Sequence, residues 1–90
     1  MPEISRFFGI IIKMFYEREG RHHRPHFHAY AQDDSAVIAL DPIEVLESEL
    51  SPRHERLVLA WAELHAEELM RDWDLIMKEK KPEHIEPLRK

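Results

Sequence analysis

Between Pro52 and Pro82 the chain holds neither glycine nor proline, and this uninterrupted stretch divides its 90 residues into two unlike parts. Ser51-Pro52 starts a helix: a hydroxyl suits the N-cap, and proline is favoured at the first helical position. Leu57, Trp61, Leu64, His65, Glu68 and Leu69 then recur at three- and four-residue spacings, followed by Trp73, Ile76 and Met77. That is the signature of one apolar helical face. A helix over 52–80 would be roughly 40 Å long, more than a small sheet can cover. Either it breaks near Asp72, or its distal half around Trp73 and Ile76 packs on a second copy as a homodimer. Pro82 and Pro87 end regular structure, leaving residues 81–90 as a tail that Ile85 and Leu88 can tack onto the core.

The part before Ser51 reads as strands, over residues 4–48. Phe7 to Tyr16 is rich in Ile, Phe and Tyr, and its run Phe7-Phe8-Gly9-Ile10-Ile11-Ile12 suits a central strand covered on both faces. Glu17 to Pro25 is a polar connection. His26 to Ala31 forms the second strand, with His26, His28 and Tyr30 on one face and Phe27, Ala29 and Ala31 on the other. Gln32-Asp33-Asp34-Ser35 has turn chemistry, so Ala36 to Leu40 returns antiparallel. After Asp41-Pro42, Ile43 to Leu46 is a short fourth edge strand or an extended segment. The expected fold class is α+β: one domain over 1–90, a three- to four-stranded antiparallel sheet followed by one long or broken helix.

Apolar residues make up 43% of the chain and charged residues 34%, a balance that suits a globular fold. There is no cysteine, which excludes thiolate metal sites and thiol nucleophiles. With only two glycines, a dinucleotide-binding loop is excluded as well; no cofactor and no metal are assigned. No segment has the apolar length of a membrane span, and the N-terminus lacks the order of a secretion signal, so the expected location is the cytoplasm.

The net charge of −5 argues against indiscriminate nucleic-acid binding, but the charge is unevenly spread. Arg18, Arg21 and Arg24 interleave with His22, His23, His26 and His28, against the single acid Glu19. Asp41 to Leu50 carries four acids and no base. The histidine cluster is the first candidate site. His26 and His28 on one strand face can act as a coupled acid–base pair or chelate a metal, and arginines favour phosphate. Metal-independent RNA cleavage needs this set: one histidine as base, the other as acid, with Arg18, Arg21, Arg24, His22 and His23 holding phosphate or a partner. Histidines capping a sheet edge beside a solvated flank are the bland alternative. On the helix, His65 and Glu68 share a face and can orient one another, contributing to the site if that face meets the sheet; the preferred reading is a satisfied histidine bordering the core stripe of Trp61, Leu64 and Leu69. The acidic stretch is read as edge protection.

Met1 to Ile10 (Met-Pro-Glu-Ile-Ser-Arg-Phe-Phe-Gly-Ile), Pro25-His26-Phe27-His28-Ala29, Trp61 to Leu69 (Trp-Ala-Glu-Leu-His-Ala-Glu-Glu-Leu) and Ile85-Glu86-Pro87-Leu88 together resemble the bacterial family described as domain of unknown function 4160. The resemblance runs from end to end. It departs at Arg24, where many relatives have a second proline before the His-Phe-His. It implies a place beside a second small protein, of family 2442, in a two-protein module of toxin–antitoxin type, with this chain in the toxin role. The expected function is therefore a toxin-like component acting on RNA through the His/Arg cluster. A non-catalytic binding module using the same basic patch and a metal-binding protein remain as alternatives.

Overall fold

The computed structural model describes residues 3–16 and 24–89. Five strands precede two helices: β1 (Glu3–Phe7), β2 (Ile10–Lys13), β3 (His26–Ala31), β4 (Asp34–Leu40), β5 (Ile43–Ser48), α1 (Pro52–Leu64) and α2 (Ala66–Met77). The strands form one antiparallel sheet in the order β1-β2-β3-β4-β5. The α+β class stands; the expected three to four strands and single helix are corrected to five strands and two helices.

The extra strand arises where the sequence suggested one continuous element from Phe7 to Tyr16. Phe8 (φ 48°) and Gly9 (φ 77°) both adopt left-handed backbone, and Phe7 pairs with Ile10 across them. Two successive positive φ angles make a two-residue hairpin turn whose twist matches that of the flanking strands. Glycine takes this conformation at no steric cost. The apolar run thus folds back on itself, and each half needs only one covered face. The short fourth strand is also longer than expected, running to Ser48 with a register shift opposite Val37 and Ile38.

One face of the sheet is the core. Ile10, Ile12 and Met14 lie beside Phe27, Ala29 and Ala31, then Ala36, Ile38 and Leu40, all buried. The helices supply Val58, Trp61, Ala62, Leu69, Trp73 and Ile76. Burying a side chain of Val, Leu, Ile or Phe size contributes about 1.5–3 kcal/mol. Trp61 is fully buried, its ring 5.3 Å from Phe7 and 5.7 Å from Phe27. Its indole N–H donates to the Glu86 carbonyl at 2.8 Å, satisfying the one polar atom it brings into the core. The Ser51 side chain accepts from the His54 N–H, the cap that Ser51-Pro52 promised.

The helical stretch breaks at His65 (φ −119°, ψ 26°), not near Asp72. Asp72 lies inside α2, buried, and its Oδ1 accepts the Glu83 N–H at 2.8 Å. A second backbone bond, from the Ile85 N–H to the Ile4 carbonyl at 2.8 Å, ties the tail to β1. The break lets the distal half cover the chain's own core: Trp73 is 7% exposed and Ile76 8%. An unburied distal helix, the premise for expecting a dimer, is therefore absent. No helix among the described residues is long and apolar enough to cross a membrane.

Candidate functional site at the histidine strand

His26 opens β3 and is 1% exposed. Its Nδ1 lies 2.7 Å from the Arg24 carbonyl. A carbonyl oxygen can only accept, so Nδ1 carries the proton and donates. The ring packs 5.3 Å from Trp73 of α2 and stands edge-on to His28 at 5.2 Å. Trp73 is therefore the lid over the first histidine.

Two residues on, His28 is only half-buried and in a different setting. Its ring stacks on Phe15 at 4.5 Å and lies nearly parallel to Tyr30 at 6.2 Å. Lys13 Nζ sits 5.4 Å from the Tyr30 ring centroid, within cation–π range. Strand register explains the grouping: Lys13 is opposite His28, Ile11 is opposite Tyr30, and Val37 flanks His28 from β4. Phe15, His28 and Tyr30 thus form an aromatic column on the face away from the main core, with one cation at its side. Lys13 and Phe15 are site members that residue-by-residue reading missed. Alternation after Gly9 would have placed them on a common face, but only pairing with β3 brings that face to His28.

The other expected members divide three ways. Arg24 stands just before β3 and bridges to Glu44 of β5 at 2.7 Å, both about half exposed; its charge is matched from within the chain. Arg18, Arg21, His22 and His23 lie outside the described residues. His65 and Glu68 do meet, Nδ1 to Oε1 at 2.6 Å, but as a pair of their own at the helix junction. His65 rests against Trp61, 5.6 Å between rings, whereas His26 rests against Trp73. Glu44, Glu47 and Glu49 are exposed along the outer edge of the sheet and just beyond it. Among the described residues, no group of three His, Asp or Glu is placed to hold a metal ion.

Chemically, the arrangement offers an inner imidazole locked by a backbone carbonyl and a tryptophan, and an outer imidazole within an aromatic column. The inner ring is closed to solvent, while the outer one is half-buried. The buried carboxyl of Asp72 is the other unusual group: burial pushes it above the usual carboxylate range, against the lowering effect of the Glu83 N–H. Its Oδ2 has no hydrogen-bond partner among the described residues.

Fold and site together define a small α+β protein: a five-stranded antiparallel meander under two helices, with a histidine-containing aromatic column at its third strand. The chain belongs to the family described as Domain of unknown function (DUF4160), whose model matches residues 9–74. That match begins at the Gly9 turn and ends in α2, so it contains β3, its neighbours and the helix junction. No curated protein and no solved structure matches the chain.

Proposed function

We propose that this chain is the toxin-like component of a two-protein bacterial module, and that it engages RNA on the β3 face. The observation that carries this reading is the Phe15–His28–Tyr30 column with Lys13 beside it. Partly accessible aromatic rings on a sheet face with a nearby cation resemble the means by which sheets hold single-stranded RNA, bases stacking while cations meet phosphate. Burial of His26 favours a division of labour in which His28 meets the RNA and His26 holds it in place from below. Resemblance to a family of paired small proteins supplies the module.

A second reading, a non-catalytic regulator that binds a partner through the same patch, draws support from the same burial. General acid–base cleavage wants two rings in reach of substrate, and one of these is shielded.

The test is expression in bacteria of wild type, His28→Ala and Tyr30→Ala, alone and beside the neighbouring reading frame, at matched protein levels. Growth arrest that the neighbour relieves and His28→Ala abolishes is the expected result. Unimpaired growth with wild type would sink the toxin reading, leaving the regulator. Arrest untouched by both substitutions would move the working surface off β3. RNA recovered intact from arrested cells, with the purified protein shifting a labelled single-stranded RNA, would select holding over cutting.

A further inference from the structure

A cleft of about 510 Å³ lies between the β4–β5 turn and the first turns of α2, and no residue of β3 lines it. Its apolar lining is Leu40, which belongs to the core, and Ala66 and Met70, which are half-buried. Methionine is flexible and polarisable and adapts to differently shaped apolar partners. Its rim carries Asp41 from the turn and Glu67 and Asp74 from the helix, all exposed, with Arg71 the one cation. None of the three carboxylates is in an ion pair among the described residues, unlike Glu44, which Arg24 satisfies. A concave surface of one predominant charge focuses its field on an incoming ligand of the opposite sign.

We propose that this cleft docks a basic, apolar-anchored segment of a protein partner. The inference rests on the two-protein reading only in supplying the partner, the neighbouring small protein. The helix wall sets the spacing. Glu67, Met70, Arg71 and Asp74 fall at three- and four-residue intervals and so share one face of α2. Glu67 and Asp74 are two turns apart, about 10 Å along the axis. The occupant presents two cations at that separation, seven residues apart in a helix or three in a strand. Between them an apolar side chain enters beside Met70. A small ligand is disfavoured because the cleft is open and its carboxylates are spread along it, Asp41 on the turn and Glu67 and Asp74 two turns apart on α2.

The experiment uses a fluorescein-labelled synthetic helical peptide with lysines seven residues apart and a leucine between them. Its anisotropy is followed against wild type, the double reversal Glu67→Lys/Asp74→Lys, and His28→Ala. The expected result is saturable binding to wild type that weakens with salt and falls at least tenfold in the double reversal. His28→Ala should bind as wild type does, so a failed β3 reading leaves this result standing, and the reverse. Circular dichroism of the double reversal checks that the fold is kept. Equal binding to wild type and the reversal variant would overturn the proposal, as would no binding to wild type. A concentration-dependent dimer that the reversals dissociate would overturn it too, by naming a second copy as the occupant.

Discussion

His26 and His28 lie on one strand, two residues apart, and their sequence surroundings are nearly the same; in the folded chain they are not equivalent. His26 is sealed between Trp73 and the Arg24 carbonyl, while His28 stands half-open in a column of rings. Strand alternation decides which face a side chain takes, but what covers that face comes from elsewhere in the chain. Here α2 covers one end of the strand and leaves the middle to the aromatic column. A motif of two histidines therefore resolves into one buried and one half-buried ring.

The strongest way to break that contrast is Trp73→Ala. Removing a nearly buried tryptophan costs about 3–5 kcal/mol, read as a lower urea midpoint, and it uncovers His26 to solvent. If the loss were small and His26 stayed protected, α2 would not be what separates the two rings. His26→Ala is next. It leaves the Arg24 carbonyl without its donor and opens a void beside Trp73; an orphaned buried acceptor costs about 1–3 kcal/mol. His28→Ala should lose less than about 1 kcal/mol, in the range of substitutions away from fully buried sites. Equal losses at the two positions, measured in the same denaturant series, would erase the distinction.

A third comparison sharpens the role of α2 through pH. Asp72 has its carboxyl raised by burial, so its native state prefers the protonated form. Such a group adds stability that is fully present at low pH, below its unfolded value, and lost as pH rises through the raised native one. The stability difference between Asp72→Asn and wild type should therefore shift toward the variant as pH climbs from the acid side through the carboxylate range. A difference independent of pH would mean that the buried carboxyl does not titrate with folding. At the small end, Arg6→Ala should leave the urea midpoint unmoved. The Arg6–Glu3 pair is exposed, and pairs of that kind contribute little.

Where local chemistry dictated local structure, the sequence was readable. His26–Ala31 is a strand over the residues that alternation indicated, and Ser51-Pro52 caps the helix that it announces. Phe7 to Ile12 was misread because a continuous apolar run looks the same in a doubly covered strand and in a hairpin folded at its centre. Gly9 was the available signal, and a phenylalanine beside it at positive φ concealed the turn. The break at His65 left no mark of composition: Leu64, His65 and Ala66 all tolerate a helix, and the chain bends there because Leu69, Trp73 and Ile76 find burial on the sheet. Lys13 and Phe15 joined the site through pairing with β3, which is non-local.

By itself the sequence determined the α+β class, the antiparallel pairing of the middle strands, the helix start, and a histidine-rich strand as the chemical focus. These follow from periodicity, capping and turn residues, which act over a few neighbouring positions. Only the tertiary structure decided that Trp73 would shield His26, that Phe15 and Tyr30 would frame His28, and that Asp72 would hold the tail from inside. Each of these depends on which segments, distant along the chain, bury their apolar faces together, and burial is settled by the whole packed chain.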